Sequence, residues 1–326
     1  MNEALERARR ATHAFFESNS GWGEPTRDAL AEWLADGVCQ CPDECWVAPL
    51  GVCEHGLASW LAVLQAMGEH TDLQPPVEPN RLRHALNFRD LAGVRGPGGR
   101  LVAAGRIFRS GVLDLLDDVD RSTLRALGLR TVIDLRADEE RAARVNRLPA
   151  EVEERHRPVT DVSAHPNTIM ERIAAGDTDG LGAEMLIRGN RHFVEAQADR
   201  FGALVRELLD PNEQPAVVHC TAGKDRTGFA VACVLWTIGV DHEDVVADYL
   251  RTNEIMRDQH MHTLAAAAER GINTSKLEEM LVVRREYLDS AFERAVELHG
   301  SIDAFVTQGL GIDDADRAAA AAVLLT

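Results

Sequence analysis

No stretch of this chain approaches the ~18 consecutive apolar residues that a membrane-spanning helix needs, so no span is expected. The opening MNEALERARRATHAFFESNSG also lacks the apolar core of an export signal, because Glu3, Glu6 and Arg7 stand where it would lie. A soluble, cytoplasmic protein is the default expectation, with export by a route that needs no such signal left open. Positive charge is scarce: 35 Lys and Arg stand against 53 Asp and Glu, a formal net charge of -18. That balance excludes a general nucleic-acid binder, because nothing basic enough survives to track a phosphate backbone. Internal repeats and long low-complexity segments are also missing.

What is there is globular. With 326 residues and 45% hydrophobic content the chain can bury a sizeable core, and its length suits one large domain plus something small. Residues 1–75 read as a small helical, Cys-rich module: GEPTRDALAEWLADG and HGLASWLAVLQAMGEH both carry apolar residues at helical spacing. HTDLQPPVEPN, with three prolines, reads as a linker. From residue 76 to 326 strands and helices alternate. GRLVAAGRIFRSG predicts two short strands, RTVIDLR and PAVVH buried strands, VEERHRPV a further strand, and DVDRSTLRALG, DEERAARVN and residues 191–209 helices. This alternation predicts an α/β domain with a mostly parallel sheet flanked by helices, which binds ligands at the carboxyl ends of its strands. Asp134 and Arg136 leave one strand there, and Cys220 leaves another.

The stretch AVVHCTAGKDRTGFAVA places Cys220 between a buried strand and an apolar helix, with Arg226 six positions on. A short turn into a helix N-terminus aims successive backbone N–H groups at one spot, and the helix dipole adds positive potential, so a tetrahedral oxyanion is held there. The same field favours the thiolate of Cys220. Arg226 supplies a planar fork for two phosphate oxygens, Gly223 lets the backbone come close, Lys224 adds positive charge, and Thr227 stands to stabilise the leaving sulfur. His219 orients the loop rather than acting as a base, and Cys233 reads as core. A nucleotide-binding P-loop fails, because Val218 occupies the place of its first glycine and Asp225 that of its Ser or Thr. Residues 80–110 add Arg81, Arg83, Arg89, Arg95, Arg100, Arg106 and Arg109 against the single acid Asp90, a pattern that suits a focused anion site.

HCTAGKDRTG, together with NFRDLAG (87–93), RIFRSG (106–111), TVIDLR (131–136) and DYLRTNE (248–254), resembles the bacterial tyrosine phosphatase family, over roughly residues 78–326. The resemblance implies a cysteine-dependent phosphatase fold and hydrolysis of phosphate monoesters through a phosphocysteine intermediate, with no cofactor for catalysis. Phosphotyrosine in proteins is the implied substrate, with phosphoserine, phosphothreonine or phosphoinositides in addition. Cys220 would be the nucleophile, Arg226 the phosphate clamp and Asp225 the general acid, with Asp161 as second candidate and Asp134 as a third that is more readily structural. Thr221, Ala222, Gly223, Lys224, Thr227, Arg109 and Arg136 would bind substrate. Lys224 resembles the loop lysine of lipid-directed phosphatases, and the two helices expected after DYLRTNE resemble the family's lid. A catalytically silent phosphate-binding module and a rhodanese-type sulfurtransferase are the rival readings. The implied partner is the phosphorylated protein or phosphoinositide; oligomeric state is not legible.

CQCPDECWVAPLGVCEH gathers Cys39, Cys41, Cys45, Cys53 and His55 within the small module. Thiolates with an imidazole suit a tetrahedral structural zinc, which would fix a module too small for a strong core of its own. Disulfides and unliganded thiols are the alternatives, and disulfides fit poorly with an enzyme that needs a reduced cysteine.

Overall fold

A computed structural model describes residues 3–18, 23–74, 82–159, 172, 181–272 and 274–326. The N-terminal segment contains α1 (Glu3–Ser18), α2 (Arg27–Ala35), a hairpin of β1 (Cys39–Gln40) and β2 (Trp46–Val47), and α3 (Trp60–Ala66). The Thr26 hydroxyl caps α2 by accepting from Ala29 N–H, and Ser59 does the same for α3 from Ala62 N–H. The hairpin is an addition to the helices expected from sequence.

The larger part is built on five strands: β3 (Arg89–Asp90), β4 (Ile107–Ser110), β5 (Thr131–Asp134), β6 (Glu153–His156) and β7 (Ala216–His219). Their order is β3-β4-β7-β5-β6, parallel except for β3, which runs antiparallel to β4. This is the expected α/β sheet, mixed rather than purely parallel. The pleat sends alternate residues to two cores. Ile107, Ile133, Ala216 and Val218 face one core, whereas Phe108, Val132 and Val217 face the other.

The first core is covered by α6 (Ala183–Ala196), α7 (Ala198–Leu209), α8 (Asp225–Thr237), α9 (His242–Ile255) and α12 (Arg285–His299). Residues expected as one long helix are two, α6 and α7, with Gln197 at φ -129° between them. All of α8 from Arg226 to Thr237 is buried, and Phe201 meets Phe229 edge to face at 4.7 Å. The second core is covered by α4 (Asp118–Ala126), where the N-terminal segment docks: Ala48 N–H donates to Ser122 Oγ at 2.7 Å and Val52 N–H to Ser122 O at 3.2 Å. α5 (Asp138–Ala143) follows β5. In place of the first strand expected in GRLVAAGRIFRSG there are only single bridges, Leu101 to Arg95 and Val102 to Leu325. α10 (Arg257–Glu269) and α11 (Thr274–Leu281) are the two helices expected after DYLRTNE, and α13 (Asp314–Leu324) closes the chain with Asp313 as its cap.

Register brings Ser110, Asp134 and His219 side by side at the carboxyl ends of β4, β5 and β7. The loop that starts at Cys220 therefore leaves the centre of the sheet, flanked by the exits of two neighbours.

Candidate active site

Cys220 is 3% exposed at the exit of β7, and the chain bends from Thr221 to Lys224 before α8 begins at Asp225. The amides of the first turn of α8 have, by position, no carbonyl within the helix to bond. They and the helix dipole make this loop an anion site.

The loop is held from three sides. On the β4 side Gly223 has φ +69°, and a Cβ there would lie 2.5 Å from the Ser110 carbonyl atoms, so only glycine fits. Its own carbonyl accepts from Asn87 Nδ2 at 2.7 Å and from Arg109 Nη2 at 2.8 Å. Val112 N–H donates to Thr221 O at 3.0 Å. Arg109 is fully buried and spends its other Nη on Asp248 Oδ2 at 2.9 Å, while Arg89 Nε reaches Asp248 Oδ1 at 3.3 Å. Burial alone would raise the Asp248 carboxyl, but Arg109 and Arg89 outweigh it and hold the group below the usual range.

Beneath the loop, His219 Nδ1 donates to Cys220 O at 3.0 Å and Nε2 accepts from Asn146 Nδ2 at 3.0 Å. Burial pushes the imidazole down, which keeps this neutral tautomer. This is the orienting role expected for His219.

On the β5 side stands a residue that the sequence did not single out. Glu140, in the first turn of α5, accepts from Arg226 Nη1 at 2.7 Å and Nη2 at 2.8 Å, and also from the Thr221 hydroxyl. It caps its own helix by accepting from Ala137 N–H at 2.9 Å. Burial opposes its ionisation, yet Arg226 and Thr221 win and hold the carboxyl at about 2. A permanent carboxylate thus fixes one edge of the guanidinium and the rim of the loop. The available signal was an acid at the third position of a helix following the strand beside β7.

Asp225 opens α8 with Oδ1 buried and in no well-aligned hydrogen bond, the buried Tyr249 hydroxyl lies against its carboxylate, and Oδ2 lies 3.6 Å from Lys224 Nζ. Lys224 is 6% exposed, and its ammonium donates to the Met280 carbonyl of α11. α11 therefore lies over the loop. The Thr227 hydroxyl is buried and unpartnered.

Cys220, Thr221, Ala222, Gly223, Lys224, Asp225, Arg226 and Thr227 thus share one loop and helix turn. Arg109 and Arg136 are placed differently from the substrate contacts expected of them. Arg109 braces the loop from behind, and Arg136 pairs with the buried Asp134 through Nη2 at 2.7 Å. Asp134 is consumed by that pair, and Asp161 lies outside the described residues. Of the arginine-rich stretch, Arg89 and Arg109 are internal, Arg83 donates to the carbonyls of Asp36 and Gly37, and Arg95, Arg100 and Arg106 are exposed. Arg81 lies outside the described residues.

Residues 80–326 match the tyrosine phosphatase family. The chain belongs to that family. It is 32% identical over 228 residues to a tyrosine-protein phosphatase of Cupriavidus necator, covering 70% of this chain and 82% of that one. It is 33% identical over 253 residues to the triple specificity protein phosphatase PtpB of Mycobacterium tuberculosis, covering 68% and 90%. The core catalytic domain of the PP-IP phosphatase SIW14 from S. cerevisiae matches 53% of this chain and 78% of its own at 15% identity, with a TM-score of 0.30. This chain is a cysteine-based phosphatase, a class whose chemistry needs no cofactor. Among the described residues no helix is long and apolar enough to cross a membrane.

Proposed function

We propose that residues 76–326 form the catalytic domain, behind a smaller unit of residues 1–75, and that Cys220, Arg226 and Asp225 carry the reaction. The observation that supports this most is the carboxylate of Asp225 at the N-terminus of α8, with one oxygen buried and in no well-aligned hydrogen bond, in the same turn as Arg226 and five residues from Cys220. A carboxylate held beside an anion site and not tied into an ion pair of hydrogen-bond length suits proton transfer.

The Cys220 thiolate attacks phosphorus, forming the S–P bond as the ester P–O bond breaks, and Asp225 gives its proton to the departing oxygen. Charge spread over the transferring group is stabilised by the loop amides and by Arg226, whose fork Glu140 has already oriented. Water then attacks phosphorus, Asp225 takes its proton, and the S–P bond breaks to return the thiolate and release phosphate. Thr227 donates to the leaving sulfur.

The substrates are proteins carrying phosphotyrosine, with phosphoserine, phosphothreonine or phosphoinositides accepted as well; the name of the mycobacterial relative gives that protein a triple specificity, which supports a broad range here. Lys224 is the group for a second phosphate. Because its ammonium is engaged by Met280, α10 and α11 act as a lid that must shift before Lys224 is available.

The test is phosphate release by the wild type and Cys220→Ser, without added metal, from phosphotyrosine and phosphoserine peptides and from mono- and multi-phosphorylated inositides. Release lost in the variant supports the cysteine mechanism. Release retained by Cys220→Ser refutes it.

A further inference from the structure

The N-terminal segment carries a side-chain group that no phosphatase step uses. It is built on two turns of the same form. In the first, Cys41 N–H donates to Cys45 O at 2.9 Å and Glu44 N–H to Cys41 O at 2.9 Å, with Glu44 at φ +64°. In the second, Cys53 N–H donates to Leu57 O at 2.9 Å and Gly56 N–H to Cys53 O at 3.0 Å, with Gly56 at φ +81°. Each turn is a tight loop closed by a backbone bond and by one residue of left-handed conformation.

Together they gather one ligand atom each from Asp43, Cys45, Cys53 and His55, all within 4.8 Å of one another. Cys45 Sγ is 3.5 Å from His55 Nδ1 and 3.5 Å from Asp43 Oδ2, and Cys53 Sγ is 3.4 Å from the same oxygen. Zn–S bonds of about 2.3 Å and Zn–N or Zn–O bonds of about 2.0–2.1 Å make the edges of a tetrahedron roughly 3.3–3.8 Å long. Those three separations already fit. His55 Nδ1 to Asp43 Oδ2, at 2.7 Å, is shorter than such an edge and opens on binding.

We propose that Asp43, Cys45, Cys53 and His55 bind one divalent ion of zinc type, and that the ion is structural. Four protein ligands close a tetrahedron and leave no position for substrate or water. The two thiols give up their protons to solvent on binding, and the imidazole binds in its neutral form. The need is local: β1 and β2 are two residues long each, too short to hold the two turns together by pairing. The ligand set departs from the sequence expectation at both ends. Cys39 is buried among Leu30, Leu34, Trp60 and Leu61, a packing position. Cys41 touches the group through the Cys53 thiol but is not among its four mutually close ligand atoms, and its own thiol donates to Leu57 O at 3.3 Å. Asp43, which was not singled out, takes the fourth corner.

The experiment uses the full chain, purified under reducing conditions from zinc-supplemented culture. It measures metal content and the thiolate-to-cobalt absorption on titrating metal-stripped protein with Co²⁺. The expected result is about one zinc per chain and a cobalt band of two-thiolate intensity. Metal should be lost in Cys45→Ser and Cys53→Ser, weakened in Asp43→Asn and His55→Ala, and retained in Cys39→Ser and Cys41→Ser. Absence of both zinc and the cobalt band from the wild type overturns the site, and that reading does not depend on any variant folding. A three-thiolate band, lost in Cys41→Ser and kept in Asp43→Asn, overturns this ligand set. A Cys45–Cys53 disulfide in the purified protein overturns the metal outright.

Discussion

Replacing Gly223 by alanine tests whether the contact with β4 sets the shape of the catalytic loop. The added Cβ would lie 2.5 Å from Ser110 C and O and 2.6 Å from Gly111 N, all backbone atoms that cannot swing aside. Favourable carbon contacts begin near 3.5 Å, so the loop or the strand exit must move by roughly 1 Å. The left-handed φ adds about 1–2 kcal/mol for any residue with a Cβ. Gly105 isolates the second cost from the first. It has φ +72° and nothing within 4 Å of its would-be Cβ, so alanine there meets the backbone penalty without the collision. Both variants should lose about 1–2 kcal/mol in urea denaturation from φ alone, and Gly223→Ala more. Only Gly223→Ala should lose turnover, on the order of 100-fold in kcat for an aryl phosphate, because a 1 Å displacement spoils the approach of Cys220 and Arg226, the proposed nucleophile and clamp. A Gly223→Ala enzyme with kcat within about 3-fold of wild type would refute the claim that this contact organises the loop.

Glu140→Gln should lower kcat/KM by about 10-fold or more, since the two carboxylate oxygens that accept from Arg226 become one neutral carbonyl acceptor and an NH2 that cannot accept; steady-state kinetics beside a melting curve separates this from unfolding. Folded Glu140 ionises at about 2 against an ordinary 4.5, so its stabilisation is complete above 4.5 and fades as pH falls toward 2. Urea titrations across that window should show a shallower acid loss in the glutamine variant, and an unchanged slope would contradict the assignment. His219 has the opposite sign of charge. With its folded value pushed below 6.5, the unfolded chain takes up the proton first, so stability is full above 6.5 and declines below it, a decline that His219→Gln should flatten in thermal melts between pH 5 and 8. Arg109→Met should cost about 3 kcal/mol, because it takes from buried Asp248 the nearer of its two guanidinium partners and leaves Arg89 at 3.3 Å to hold the charge; a loss under 1 kcal/mol in denaturant titration would show that Arg89 suffices.

The strands on either side of the chemistry were legible because a buried parallel strand is a short, continuous apolar run: TVID and AVVH became β5 and β7. The loop was legible because cysteine, glycine and arginine stood between such a strand and a helix apolar all round. Glu140 was not, because an acid in the first turn of a helix is what any cap looks like, and only the sheet order that sets β5 beside β7 turns it toward Arg226. The arginines of 80–110 misled for a related reason. Charge counts cannot tell Arg109, sealed against Asp248, from Arg106 in solvent, because pairing partners lie more than a hundred residues away. The break at Gln197 carries no proline or glycine, so tertiary packing set it.

The tether on the Gly223 carbonyl reaches further than the bond itself. A peptide unit is a rigid plate whose oxygen and hydrogen point in opposite directions. When Asn87 and Arg109 pull that oxygen toward β3 and β4, they turn the Lys224 N–H the other way, across the loop. Two side chains packed behind the loop therefore choose the polarity of the cradle, as a latch behind a door decides which face it shows to the room. Loosening that latch would allow the plate to flip and present a carbonyl in place of an amide, turning an attractor of anions into a repeller while every residue of the loop stays the same.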